Sequence, residues 1–209
     1  MKKTEFVSYN TPLKADGIIA IKLRGDDELI GVRLAGEGDD VLMVSRLGQA
    51  VRFHGSQVRA MGRDTSGVSG MKLRKDDEVI EVDIAADDAD LLVVTENGYG
   101  KRTRVADYPV KGRGTMGVKT AQLVEGKGRL AGARIVRDGY QVMLISDHGT
   151  VIRVPVDGIR RAGRATQGVI VMRLREGETV SSLAPVVSSE AEDDPIVVSD
   201  IVDDSAASA

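Results

Sequence analysis

The sequence predicts an all-β protein, a propeller or a related array of blades, and three observations carry that prediction. The phrase x-Gly-Arg-x-Thr-x-Gly-Val occurs three times, as MGRDTSGV at 61–68, KGRGTMGV at 111–118 and AGRATQGV at 162–169, with starts 50 and 51 residues apart. A second phrase, VLMVSRLG at 41–48, LLVVTENG at 91–98 and VMLISDHG at 142–149, precedes each copy by 20 residues. Within each period, short apolar runs rich in Val, Ile and Leu alternate with Gly, Asn, Asp and Pro, which is strand-and-turn punctuation with no helical period. Four short strands repeated about every 50 residues are how blades read in a sequence.

Taken in order, the repeat gives units at 1–40, 41–90, 91–140 and 141–189, followed by a segment 190–209. Strands are expected in the second unit at 41–45, 51–53, 68–73 and 79–84. Leu47-Gly48, Asn97-Gly98 and His148-Gly149 sit at matching places where a tight hairpin needs positive φ, a conformation Gly adopts without a Cβ clash. A third phrase, IKLRGDDELIGV at 21–32, recurs as MKLRKDDEVIEV at 71–82 and MRLREGETVSSL at 172–183. Residues 1–40 therefore align without gaps to 51–90 and place Met1 opposite Val51. The first blade is then incomplete, and the chain reads as a fragment of a longer protein or one whose upstream blades were left out.

Composition bounds the function. With 209 residues and 42% apolar content the chain can bury a sizeable core. Cysteine is absent, which removes disulfides and thiolate metal sites and makes a reducing, cytoplasmic setting the natural expectation. No 18-residue apolar run suggests a membrane. The net charge of −3 hides a split: nine acids and no base follow Arg175, leaving 23 acids against 29 bases in residues 1–175, a balance of +6. The body is basic. Residues 190–209, EAEDDPIVVSDIVDDSAASA, have the composition of an acidic, disordered tail, although IVVSDIV could pair as a strand.

Catalytic chemistry finds no support. His54 and His148 occupy non-equivalent places with no ligand or triad spacing and read as turn or surface residues. Tyr9, Tyr99, Tyr108 and Tyr140 read as packing residues. KGRGTMG lacks the Gly-Lys-Ser/Thr ending of a phosphate-binding P-loop. The chain by itself is therefore expected to be no enzyme, with no metal and no cofactor of its own.

The repeated motif supports two compatible readings. Structurally, Gly62, Gly112 and Gly163, with Gly67, Gly114, Gly117 and Gly168, shape a tight turn that Thr65, Thr115 and Thr166 fasten through their hydroxyls. Functionally, Arg63, Arg113 and Arg164 recur at one height on successive blades, with Lys111, Lys119, Arg160 and Arg161 beside them. A curved row of guanidinium groups suits a phosphate backbone, because Arg donates bidentately to phosphate oxygens. The competing possibility is that each Arg pairs with a neighbouring acid. Lys101, Arg102 and Arg104 form a second basic run on the strand after the Asn97-Gly98 hairpin, where alternation puts Arg102 and Arg104 on one face and Lys101 on the other. With two Phe, four Tyr and no Trp, stacking platforms for single strands are scarce, so duplex backbone is the better ligand.

The phrases LLVVTENGYGKRT, ADYPVKGRGTMGV, RRAGRATQGVIVMRL and the LRxDDEhI element (h apolar) at 23–30 and 73–80, together with their spacing, resemble the C-terminal domain of the DNA gyrase A subunit, a β-pinwheel whose blades wrap duplex DNA. The resemblance covers residues 1 to about 189 and implies the last blades of such a ring with an acidic tail behind them. It implies double-stranded DNA as partner and, in the full enzyme, the ATPase B subunit together with the remainder of the A subunit; ATP and Mg are implied only there. The family's signature box, Gln-Arg-Arg-Gly-Gly-Lys-Gly, is not found. Residues 111–117 come nearest: Lys111 stands for the Gln and Gly112 for the first Arg, Arg113 and Gly114 match, Thr115 replaces Gly, Met116 replaces Lys, and Gly117 matches. The DNA-cleaving tyrosine segment of the full enzyme is absent as well, so the resemblance implies DNA binding and bending within an ATP-dependent supercoiling topoisomerase without cleavage by this chain. The equivalent C-terminal domain of topoisomerase IV, and a propeller acting as a protein-interaction scaffold, are the alternatives.

Overall fold

The computed structural model describes residues 1–12 and 16–186; the segment 190–209 lies outside them. Among the described residues the chain is all-β, with four short 3-10 turns and no α-helix. Eleven strands follow in order: β1 (Asp40–Ser45), β2 (Gln49–His54), β3 (Val79–Ala85), β4 (Asp90–Thr95), β5 (Tyr99–Arg104), β6 (Val118–Lys119), β7 (Leu130–Val136), β8 (Gln141–Ser146), β9 (Val151–Pro155), β10 (Val169–Ile170) and β11 (Val180–Val186).

They form three antiparallel sheets, ordered β3-β1-β2-β6, β7-β4-β5-β10 and β11-β8-β9. Each is built on a hairpin whose turn glycine has positive φ: Gly48 at 78°, Gly98 at 78° and Gly149 at 82°. The outer strand returns to the hairpin's first strand with one irregularity, at Val44/Ser45, Val94/Thr95 and Val180/Ser182 in the three sheets.

The sheets depart from the expected four strands per unit. The run at 68–73 makes only an isolated bridge at Met71, and its counterparts are the two-residue strands β6 and β10. These do not join their own unit's sheet. β6 pairs with β2 and β10 with β5, each one unit upstream in sequence. After its hairpin the chain leaves for the edge of the preceding sheet and then comes back as the outer strand. This exchange also corrects the register of the first unit. Val68 N–H bonds Met1 O at 2.9 Å, while β6 and β10 set Val118 opposite Ala50 and Val169 opposite Gly100. Met1 thus occupies the place of Ala50 and Gly100, one residue from Val51. Among the described residues before Asp40 there is no strand, only the 3-10 turn Phe6–Tyr9 and an isolated bridge between Lys3 and Ala60.

Packing follows from stacking. One apolar cluster lies between the first two sheets, around Leu42, Val44, Leu91, Val93 and Tyr108, and another between the second and third, around Leu92, Val94, Leu144, Met172 and Leu183. β1 and β4 are buried along their whole length, as continuous VLMV and LLVV runs require when both faces are covered. β8 carries a similar run yet alternates between buried and half-buried, because only one face of the third sheet is covered.

Candidate nucleic-acid interface

The three motif loops are built alike. Each opens with a backbone bond to the preceding unit: Met61 N–H to Lys3 O at 3.0 Å, Lys111 N–H to Arg52 O at 2.8 Å and Ala162 N–H to Arg102 O at 2.8 Å. Each is then tied across its tip, Thr65, Thr115 and Thr166 donating Oγ1–H to the carbonyls of Gly62, Gly112 and Gly163 at 2.9, 3.0 and 2.8 Å. The threonine carbonyls in turn accept from Lys22, Lys72 and Gln122 at 3.1, 2.9 and 3.0 Å, residues of the preceding unit spaced by fifty. Loop is stitched to loop, and the motifs form one row along the array.

The two glycines of the motif do different work. Gly67, Gly117 and Gly168 have φ of 80°, 72° and 78°, and a Cβ there would collide with Met1 O, Ala50 O and Gly100 O, the last at 2.7 Å and the others closer still. They let the exchanged strand pass against the backbone of its host. Gly62, Gly112 and Gly163 open the turn, and their carbonyls take its threonine ties, but the turn does not require glycine there. Their φ values are ordinary and a Cβ at each would meet nothing within 4 Å. Gly114 alone among the loop-tip positions has positive φ, 75°, where its counterparts are Asp64 and Ala165.

Among the described residues none of the three motif arginines pairs with an acid. Arg63 Nη1 donates to Ile19 O at 3.0 Å. Arg113 Nη1 donates to Ser69 O at 3.0 Å, fifty residues further on, and its Nε to Gln57 O at 3.0 Å. Ser69 and Ile19 are each two residues beyond an exchange glycine, Gly67 and Gly17. At the third such position stands Lys119, whose ammonium bonds Gln122 Oε1 at 2.7 Å, and Arg164 instead lies over the Tyr108 ring, 6.0 Å from its centre. Carbonyls and a ring orient a guanidinium without cancelling its charge. Among the described residues the row therefore carries fixed cations that no acid pairs, with N–H donors to spare.

Other candidates divide. Arg104, Lys111, Arg113, Lys119 and Arg160 are exposed. Three of the expected ligands, Lys101, Arg102 and Arg161, are instead committed to contacts within the fold. Lys101 is 1% exposed: β5 lies inside its sheet with sheets on both sides, so both faces are covered rather than one. Its ammonium donates to the carbonyls of Gly163 and Arg164, the latter at 2.6 Å. Burial, with the Arg164 charge adding to it, pushes the Lys101 pKa down to about 8. Arg102, 8% exposed, is spent on Ile159 O at 2.9 Å, Asp90 at 3.1 Å and Asp138. Arg161 is half-exposed at its side chain but paired with Asp90 at 2.8 Å and Asp138 at 3.4 Å. Both arginines lock a hairpin to the following turn, as Arg52 does with Asp40 and Asp87 at 2.7 and 2.6 Å.

Sequence reasoning missed Lys22 and Lys72, exposed side chains whose backbone holds the neighbouring loop, and Arg59, which stands where Arg160 stands in its own unit. The signal was present in the recurring IKLR and MKLR phrases. Among the described residues no cluster of His, Cys, Asp or Glu could hold a metal ion, and no helix is long and apolar enough to cross a membrane.

A row of motif loops on exchanged strands invites comparison with known proteins. A family model described as DNA gyrase C-terminal domain, beta-propeller, matches residues 2–35, 39–86, 89–137 and 140–186. The chain belongs to that family. The DNA gyrase A subunit of Escherichia coli (strain K12) is 44% identical to it over 207 residues, 99% of the chain and 23% of that protein. The corresponding gyrase protein of Mycobacterium tuberculosis (strain ATCC 25618 / H37Rv) is 39% identical over 198 residues, 94% of the chain and 24% of that protein. The chain spans about a quarter of the length of these curated relatives. A solved DNA gyrase A C-terminal domain superposes with a TM-score of 0.76 at 27% identity, covering 82% of the chain and 59% of its own. The C-terminal domain of DNA topoisomerase IV superposes with 0.84 at 24% identity, covering 90% and 59%, a likeness of fold.

Proposed function

We propose that this chain is the duplex-binding part of the A subunit of an ATP-dependent DNA gyrase, acting in the cytoplasm with the ATPase B subunit, to which the rest of its own polypeptide would join it. The observation that carries the reading is the stitched row of Arg63, Arg113 and Arg164, held by neutral acceptors, with Lys22, Lys72, Lys111, Lys119, Arg59 and Arg160 exposed around it. Such cations take phosphate oxygens, so affinity comes from counterion release with little reading of base sequence. A row that follows curved stacking bends the duplex, at an elastic cost on the order of 1–6 kcal/mol per 20–30 base pairs, offset by the added phosphate contacts. The bent segment would be presented to a cleavage gate elsewhere in the enzyme. The relatives are named as gyrase subunits, which favours this over a place in topoisomerase IV.

The test is a salt titration of duplex binding. Replacing Lys111 and Arg113 by Ala should weaken binding of any sequence and lower the slope of log K against log salt by about one to two units. Equal affinity and slope for variant and parent would refute the assignment of the row.

A further inference from the structure

In each motif loop a side chain of the preceding unit grips the backbone of the motif arginine. Lys2 donates to Arg63 O and, at 3.2 Å, to Gly62 O. Lys101 donates to Gly163 O and, at 2.6 Å, to Arg164 O. The two lysines hold one register position: Lys101 lies opposite Val93 as Val51 lies opposite Met43, and Lys2 follows Met1, which occupies the place of Ala50 and Gly100. Where that position holds Val51 instead, Gln57 takes over the grip. Its Oε1 accepts from Arg113 N–H at 2.9 Å and its Nε2 donates to Lys111 O at 3.3 Å.

An ammonium that is 1% exposed cannot meet a phosphate itself. Lys101 instead fixes the backbone of Arg164 from one side, while Tyr108, bonded through its hydroxyl to Thr120, supports the guanidinium 6.0 Å from its ring centre on the other. Arg164 stays half-exposed between them. Hydrogen bonds from an ammonium are roughly twice as strong as those from a neutral amine, so the grip depends on the proton.

We infer that Lys101 is a positioning residue for duplex binding: its ammonium, donating to Gly163 O and Arg164 O, holds the Arg164 guanidinium where a phosphate can take it. The inference rests on the reading of the row as the duplex interface. In the free chain burial, and then the Arg164 charge, bring the Lys101 pKa down to about 8. A phosphate drawn to Arg164 offsets that second charge, so the bound chain keeps the proton more tightly and binding takes a proton up. Duplex affinity should therefore fall as pH rises through this range. Folding stability moves the other way, because the unfolded chain there binds more protons than the folded one. A lysine serving the fold alone would leave affinity level or carry it upward with stability.

Other groups on the elements packed against this face do not supply the same trend. Tyr108, pushed up to about 12 by burial, is neutral throughout, Asp107 precedes it on the 3-10 turn Val105–Asp107, and Lys119 on β6 is bonded to Gln122. β4 turns Leu91 and Val93 to this face, and β10 carries no charge. Glu81 and Asp83, across the same interface on β3, are paired with Arg134 and Arg33.

Anisotropy titrations of one duplex with the 209-residue chain, at constant ionic strength from about pH 7 to about pH 9.5, test this. Parent affinity should drop by up to about tenfold across the range, the factor given by one pKa unit between free and bound chain. Lys101→Met, an apolar replacement of the kind the fold accepts at Val51, should bind more weakly at the acid end, match the parent at the alkaline end and show no drop. Arg164→Gln guards against a misfolded lysine variant: with the guanidinium gone and Lys101 in place, the drop should also vanish. A parent affinity that is level or rises with pH, or a drop that survives in either variant, overturns the inference. The reading of the row fails separately, and takes the inference with it, if replacing Lys111 and Arg113 by Ala leaves affinity and salt slope unchanged.

Discussion

Substituting Ala at Gly117 and at Gly112, five residues apart in one loop, should give opposite results. At Gly117 the added Cβ is placed at φ 72° and falls 2.6 Å from the Ala50 carbonyl carbon and 2.9 Å from Val51 N. The left-handed conformation alone costs about 1–2 kcal/mol for a residue with a Cβ. Relieving the clash requires β6 to lift off β2, giving up the pairings of Val118 with Ala50 and Lys119 with Gln49 and the Thr120 N–H bond to Gly48 O at 2.8 Å. Each such bond contributes about 0.5–1.5 kcal/mol net. A loss of roughly 3–5 kcal/mol follows, in the range reserved for backbone strain and broken core elements. At Gly112, where φ is ordinary and the space is open, Ala should be neutral or stabilise by about 0.4–1 kcal/mol through the unfolded chain. Urea unfolding followed by circular dichroism measures both. A Gly117→Ala chain within about 1 kcal/mol of the parent, smaller than the strain term alone, or a Gly112→Ala chain as damaged as its neighbour, would refute the division of labour between the two glycines.

Two pH dependences follow from buried or tightly bonded groups. Burial first, and the Arg164 charge second, lower the Lys101 pKa from 10.5 to about 8, so between those values the unfolded chain binds more protons and stability should rise with pH; urea midpoints at about pH 7.5 and about pH 9.5 should show the rise, and Lys101→Met should remove it. Glu178 is held at about 2, against 4.5, by hydrogen bonds from Ser146, then Thr150 and the Arg175 N–H, so it stabilises above pH 4.5 and that contribution is lost as pH falls toward 2. Acid titration of Glu178→Gln should accordingly show a shallower loss than the parent, and an unchanged profile would count against it.

Local geometry decides what can be read from the chain alone. The period, the hairpins at Gly48, Gly98 and Gly149, and the Thr-to-Gly ties at 65, 115 and 166 depend on residues within a few positions of one another, and all were legible from spacing and turn chemistry. Which sheet a strand joins was not, because β6 and β10 are chosen by the free edges of β2 and β5, about seventy residues away in sequence. The same holds for the basic residues. Lys101, Arg102 and Arg113 look alike as charges in a chain, yet stacking on both faces of β5 buries the first two among carbonyls and carboxylates, while the loop tip leaves Arg113 in solvent with carbonyl partners. Burial is a property of neighbours, and a charge is available to a ligand only where folding brings no acid to meet it. Likewise VLMV in β1 and VMLI in β8 carry one apolar signal; Met1, Val58, Met61, Val68 and Met71, packed on the second face of the first sheet in a way no local pattern encodes, make β1 fully buried, while β8 is left alternating.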